Sequence, residues 1–326
     1  MPQLRTVIIG AGLIGKKRSL HLPDSFDLIG IFDVNLAAAQ LLISQLDRQP
    51  KVVSSLEELF QLSPEVVIIA TTHQTLPIFA ISALNHGCHV FLEKPGANEL
   101  LPLENIRDLA KSKDRIVHVG YNHRFHPSFL KASELIASEK YGKLLWIRAR
   151  YGHGGRIGYE NEWRANRAIS GGGELLDQGS HLIDLTRMLI GDVELAYSRL
   201  QTSFWRMEVE DNAFIALDAK VGGFVWLHAS WTEWKNTFSF EITLESAKID
   251  IHGLGGSYGN EQLTLYEMQP EMGPPPFKAW QWDESDTSWR AELNDFHQAI
   301  IGEPFIGATI DDAIAVHEIV GEAYKK

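Results

Sequence analysis

Lys94, Asp177 and His181 are the residues whose types and spacing carry the most chemistry in this chain. Lys94 closes the apolar run Val90-Phe91-Leu92-Glu93 and precedes Pro95, so an ammonium is held at a strand end by a ring that fixes the backbone. A group placed there donates to a substrate oxygen and offsets the negative charge that develops on it as hydride leaves the attached carbon. Asp177 and His181 lie four apart and Asp184 follows three later, which on a helix puts carboxylate, imidazole and carboxylate on one face. An imidazole takes a proton near neutral pH, and a carboxylate one turn away orients it and stabilises its charged form. These are the groups an alcohol oxidation needs. The plain alternatives are a satisfied helix histidine and a solvated surface lysine. Asp177 serves as an orienting, hydroxyl-binding or structural group, and Asp184 reads as structural.

Oxidation needs a hydride acceptor, and the amino end offers a place for one. Val7-Ile8-Ile9 runs into Gly10-Ala11-Gly12-Leu13-Ile14-Gly15, a G-x-G-x-x-G set between a strand and a helix. Gly10 permits the tight turn, Gly12 lets the backbone approach a pyrophosphate, and Gly15 lets helix and strand pack closely. The first helical amides, from Leu13 and Ile14 onward, face the phosphate charge. Asp33 closes the second strand, where a carboxylate accepts from both adenosine ribose hydroxyls and repels a 2′-phosphate. NAD is therefore favoured over NADP, although Lys16, Lys17 and Arg18 offer charge to an extra phosphate and Asp33 could instead cap a turn.

The elements that must position these groups follow two periods. Thr6–Ile9, Leu28–Phe32, Val66–Ala70, His89–Leu92 and Ile116–Val119 are short apolar strands separated by helical patterns, as in a doubly wound parallel sheet covered on both faces. After about residue 120 the pattern becomes alternating, clearest where Phe238, Phe240, Ile242 and Leu244 interleave with polar residues. Leu144–Tyr151, Ala213–Ala219 and Phe224–Trp231 read alike, giving a largely antiparallel sheet. Gly173–Ile190 reads as a helix stopped by Gly191, and a last helix of about 309–325 begins where Thr309 caps a turn carrying Asp311 and Asp312. The fold expected is α/β plus α+β: a dinucleotide-binding domain over 1–120, then a substrate and oligomerisation domain over 121–326 whose last helix is able to pack back on the first.

Gly87-Cys88-His89-Val90-Phe91-Leu92-Glu93-Lys94-Pro95 resembles a motif of the glucose-fructose oxidoreductase and inositol dehydrogenase (Gfo/Idh/MocA) family. So do Gly120-Tyr121-Asn122-His123-Arg124-Phe125 and the run from Gly171 through Asp177, Gln178, Gly179, Ser180 and His181 to Asp184, in the family's order over residues 7–191. The resemblance implies a Rossmann domain joined to an open-faced mixed sheet, bound NAD or NADP, and a sugar, cyclitol or nucleotide-sugar substrate held between the two. It implies that Lys94 and His181 face the nicotinamide, that the Lys94–Pro95 bond is cis, and that Thr71, Thr72, His73 and Glu93 lie toward the cofactor. The chain departs from the family where Thr-Pro-Asn and a histidine are usual: it has Thr71-Thr72-His73 and then Leu76, so only a backbone approach by Thr71 or Thr72 carries over.

Tyr121, Asn122 and Arg124 follow the last Rossmann strand and are expected in the interdomain cleft, Arg124 as a substrate clamp. Trp163 and Arg164 offer an apolar wall for a sugar ring and a fork for its oxygens, or else belong to a surface loop. His118, His123 and His126 straddle a strand end and a loop without a ligand acid, so no metal is assigned. A net charge of −12 argues against nucleic-acid and anionic-membrane partners. The single cysteine, Cys88, reads as a buried filler, and the lack of an export signal or a membrane-length apolar run points to the cytoplasm. The exposed face of the second sheet, with Phe224, Trp226 or their neighbours Leu227 and Trp231, predicts a homodimer or homotetramer. Two rival functions remain: a non-catalytic NAD and sugar sensor, and a redox-assisted NAD-dependent glycosidase.

Overall fold

Strands buried on both faces must be apolar throughout, and in the computed structural model the run Val66–Ile69 has no solvent-exposed surface at all. The model describes residues 3–283 and 285–325, which divide into two compact units: the chain up to residue 122 with 289–314, and 123–288 with 315 onward. In the first unit β1 (Leu4–Ile9), β2 (Phe26–Phe32), β3 (Lys51–Val53), β4 (Val66–Ile69), β5 (His89–Glu93) and β6 (Val117–Gly120) pair in parallel in the order β3-β2-β1-β4-β5-β6. The order reverses between β1 and β4, so the crevice at their carboxyl ends is where a ligand collects. β3 escaped the sequence reading because it is a three-residue edge strand with one buried side chain, Val53. The helix Ser288–Ile300, also unassigned from sequence, sends Leu293 and Phe296 into the core with Ile8, Phe26 and Phe91.

The second unit holds one sheet of eight strands: β7 (Leu144–Gly152), β8 (Val193–Gln201), β9 (Asn212–Ala219), β10 (Phe224–Ser230), β11 (Thr237–Leu244), β12 (Ala247–His252), β13 (Glu261–Glu267) and β14 (Phe277–Trp282). Their order is β14-β13-β12-β11-β7-β10-β9-β8, antiparallel except for β7 with β10. In β11 Phe238, Phe240, Ile242 and Leu244 are buried, as their alternation requires. The same period corrects the list of wet residues on β10. Leu227 falls in phase with Val225 and Ala229 and is buried, and Trp231 lies in a core cluster with Tyr159 and Val209. Phe224 and Trp226 remain on the open face.

The helix expected over Gly173–Ile190 is broken into two geometries: a π turn at Leu175–Gly179 and an α-helix at Ser180–Ile190. Its entry explains the glycines. A Cβ on Gly172 would lie 2.0 Å from Tyr324 Oη, and one on Gly173 would lie 2.0 Å from the Glu210 carbonyl oxygen. The Gly173 and Leu175 amides donate to the buried Glu210 carboxylate, so the helix start is tied to the strand side of the unit. The final helix, Ile310–Lys325, begins as read: the Thr309 amide and hydroxyl donate to Asp312, whose amide donates back to Thr309 Oγ1.

Candidate active site

In the first unit the glycine turn has the form a pyrophosphate requires. Gly10 has φ +102°, and a Cβ there would lie 2.2 Å from the Ala70 carbonyl oxygen, while one on Gly15 would collide with the carbonyl of Gly10. A Cβ on Gly12, in contrast, would enter open space. The helix Leu13–Leu20 starts at Gly12 with no side chain capping its amides, so those of Leu13 and Ile14 could donate to a phosphate. Apolar Leu13 and Val34 are 74% and 87% exposed, surface that a bound dinucleotide would cover. Asp33 accepts from the Ala11 amide through Oδ2 and from the Asn35 amide through Oδ1, both at 2.7 Å. The carboxylate thus fastens the turn, and its further lone pairs suit ribose hydroxyls.

Arg18 does not hold phosphate. Its side chain is fully buried between the rings of Phe91 and Trp289, with Nε on Glu93 Oε1 at 2.5 Å and Nη1 on Glu292 Oε2 at 2.7 Å. Burial disfavours its charge, but the two carboxylates outweigh that and raise its pKa further. Lys17 lies over the Trp289 ring, its ammonium 4.7 Å from the centroid. Glu93 turns its carboxylate onto Arg18. The next residue, Lys94, keeps solvent exposure in a run, Phe91 to Ala97, whose other members are buried, and the Lys94–Pro95 bond is cis. Thr71 and Thr72 are half-buried and linked through the Thr75 hydroxyl, and His73 is buried. Tyr121 and Asn122 are buried at the end of β6.

In the second unit the two carboxylates flanking His181 are each met by an arginine. Arg164 donates from Nε to Asp177 Oδ2 at 3.2 Å, and its guanidinium covers the Trp163 ring at 4.5 Å. Arg124 forks Asp184, Nε to Oδ2 at 2.9 Å and Nη2 to Oδ1 at 2.6 Å, both residues being buried. Arg124 therefore braces the helix carrying His181, a use that residue spacing alone does not distinguish from a substrate clamp. The His181 ring stacks on that of His123, centroids 3.8 Å apart and planes 12° from parallel. Tyr151, which meets His123 in this unit, and Glu292, which meets Arg18 in the first, are residues that sequence reasoning did not single out. Among the described residues no cluster of three or more His, Cys, Asp or Glu side chains is arranged to hold a metal ion, and no helix is long and apolar enough to cross a membrane.

A doubly wound sheet with a glycine turn and an acid on the second strand, followed by an eight-stranded mixed sheet, defines a dinucleotide-binding oxidoreductase of two parts. Residues 4–121 match the oxidoreductase family with an NAD-binding Rossmann fold, and residues 129–257 match the GFO/IDH/MocA C-terminal domain. The chain belongs to the Gfo/Idh/MocA family of NAD-binding oxidoreductases. It is 25% identical over 345 residues to D-glucoside 3-dehydrogenase of Escherichia coli, covering 99% of this chain and 95% of that one. Levoglucosan dehydrogenase of Pseudarthrobacter phenanthrenivorans is 29% identical over 160 residues, which is 48% of this chain and 41% of that protein. Among solved structures, levoglucosan dehydrogenase in complex with NADH and levoglucosan superposes with a TM-score of 0.86 at 21% identity, covering 99% of this chain and 97% of that one. The WlbA dehydrogenase of Bordetella pertussis, in complex with NADH and UDP-GlcNAcA, gives 0.82 at 19% identity over 99% and 97%.

Proposed function

We propose that this chain transfers a hydride between NAD and a secondary hydroxyl or keto carbon of a sugar, cyclitol or nucleotide sugar. The observation that carries the reading is Lys94: a partly exposed lysine at the end of a buried strand whose preceding acid is anchored by a buried arginine. In oxidation Lys94 would donate to the substrate oxygen and offset the charge that develops there, and His181 would take the hydroxyl proton. Bound NAD supplies the hydride acceptor. The glycine turn of Gly10, Gly12 and Gly15 would hold its pyrophosphate, and Asp33 would serve the adenosine ribose. Asp177, Arg164 and Trp163 serve the sugar. Relatives named as glucoside, levoglucosan and inositol dehydrogenases support this substrate class.

The test is NADH formation from NAD across a panel of glucosides, free hexoses, inositols, sugar acids and nucleotide sugars, together with NADH consumption by keto sugars. Turnover with a member of the panel is expected. Retention of NAD through purification with glycoside cleavage but no NADH release would replace this reading by redox-assisted hydrolysis. Sugar binding without either reaction would replace it by sensing. Self-association through the open face, where Phe224 is 44% and Tyr197 47% exposed, belongs to the same reading, and a monomeric mass by light scattering at micromolar concentration would refute it.

A further inference from the structure

Large apolar rings held rigidly in water mark a binding surface when polar groups flank them. In the second unit Phe204 is 58% and Trp234 61% exposed, and their rings meet edge to face at 4.7 Å. Neither is loosely held. The amides of Ser203, Phe204 and Trp205 all donate to the buried Asp211 carboxylate, at 2.8, 2.7 and 3.0 Å, and the Trp205 indole donates to the Trp231 carbonyl. Trp234 takes a left-handed backbone, φ +56°, which a bulky side chain rarely adopts. The fold thus fixes two rings in place while leaving both in contact with solvent.

Phe204 and Trp205 line a groove of about 730 Å³, the size of a pocket for a drug-sized ligand and more than one pyranose ring fills. Glu162 and Ala165 line it too, so the groove comes within one residue of Arg164, which donates to Asp177. The buried Tyr159 joins the two places: its ring lies 5.8 Å from that of Trp205, and burial, then Asp177, push its phenol up. The lining has the chemistry of carbohydrate recognition. Aromatic rings offer platforms to the C–H face of a pyranose, Asn161 and Ser203 add an amide and a hydroxyl, and Glu160 adds a carboxylate that accepts from sugar hydroxyls. Charge narrows the ligand further. With Glu162 matched by Arg156 at 2.6 Å, Glu160 and Glu208 stand against Arg206, so a diphosphate laid along the groove meets net repulsion and an uncharged glycoside does not.

We propose that this groove is a subsite for the second ring of an uncharged glycoside: the ring to be oxidised is met by Arg164 and Asp177, and the sugar joined to it lies on Phe204 and Trp234 with its hydroxyls toward Glu160, Asn161 and Ser203. The substrate is then a disaccharide-type glycoside, in preference to a free hexose, an inositol or a nucleotide sugar. A sugar suits the lining better than an apolar aglycone, which would cover Glu160, Asn161 and Ser203 without bonding them. The inference rests on the reading of Arg164 and Asp177 as sugar-binding groups.

The experiment compares cellobiose, maltose and lactose with the methyl D-glucopyranosides and D-galactopyranosides and with UDP-glucose. Binding is read by saturation-transfer NMR with NADH present, so that no oxidation occurs, and turnover by steady-state reduction of NAD. The proteins are the wild type, Phe204→Ala, Phe204→Tyr and Trp234→Asn; both rings are on the surface and Asn tolerates the left-handed backbone, so the variants keep the fold. At least one disaccharide should bind the wild type about tenfold more tightly than its methyl glycoside, with kcat/KM higher by a similar factor. Phe204→Ala and Trp234→Asn should each weaken disaccharide binding by about fivefold or more, against less than about twofold for the methyl glycoside, while Phe204→Tyr keeps the preference. Disaccharides bound no more tightly than methyl glycosides, an equal loss for both in Phe204→Ala, or a preference for UDP-glucose overturns the subsite, whatever is oxidised. Disaccharide binding that depends on Phe204 with no sugar reducing NAD would leave the subsite standing and overturn hydride transfer instead.

Discussion

Arg18 Nε meets Glu93 Oε1 at 2.5 Å with no part of the arginine exposed. The contact ties the helix that opens at the glycine turn to the residue just before Lys94, so the turn and the end of β5 share one ion cluster. Removing the arginine leaves Glu93 and Glu292 buried without their cation. Arg18→Met is expected to cost about 3–5 kcal/mol in urea unfolding, and Arg18→Lys, which keeps charge but not the fork, less. An unfolding midpoint for Arg18→Met equal to the wild type would show that the cluster contributes nothing.

Lys94→Ala and His181→Ala are expected to lower kcat by roughly 100-fold to 10,000-fold, the range for loss of a general acid–base or electrostatic group. NAD affinity, read by quenching of protein fluorescence, should change little, because neither side chain belongs to the glycine turn. If both variants oxidise substrate at the wild-type rate, the assignment is wrong.

Asp33 has two tasks, and Asp33→Ser separates them. Loss of the ribose acceptor and of the bond to the Ala11 amide should raise KM for NAD by about tenfold or more. NADP should gain much less than the three neighbouring basic residues suggest, because Arg18 is enclosed. Steady-state kinetics with both cofactors decide it: a wild-type preference for NADP, or a variant that uses NADP as well as the wild type uses NAD, contradicts this account.

The parallel sheet, the glycine turn and the Thr309 cap were legible because each is local: a strand, its turn and the next few residues carry the whole signal. Arg18 was misread for the opposite reason. It stands beside two lysines and looks like surface charge, and the glutamates that enclose it lie 75 and 274 positions away. Leu227 and Trp231 stood as alternatives to Phe224 and Trp226 for the wet face because an apolar run does not announce which phase is buried until its partner strands are known. The π turn at Leu175–Gly179 was invisible for a similar reason, being set by the grip of Glu210 on Gly173 and Leu175. Arg124 and Asp184 show the general limit: spacing located both residues but could not show that they would meet.

His228 on the open sheet face provides a pH-dependent prediction. Its ring stacks on Phe214 at 4.0 Å and Nε2 lies 3.1 Å from Asn212 Oδ1, and burial, aided by Arg150, pushes its pKa down to about 4. Glu233 at 3.8 Å from Nδ1 would oppose that, but the same carboxylate lies 3.7 Å from Arg150, whose charge offsets it, so the downward direction stands. In the unfolded chain the ring takes a proton near its ordinary value of about 6.5, whereas in the folded state it resists until about 4. The stabilising contribution is therefore present above about pH 6.5 and is lost as pH falls toward 4, where both states become protonated. Because the ring is only partly withdrawn from water, the loss should be on the order of 1–2 kcal/mol, less than the full shift implies. Urea unfolding of wild type and His228→Gln, at one protein concentration so that association is held constant, should show a shallower acid dependence in the variant between about pH 7 and pH 4.5. Identical slopes for the two proteins would mean that His228 is protonated in the folded state as readily as in the unfolded one.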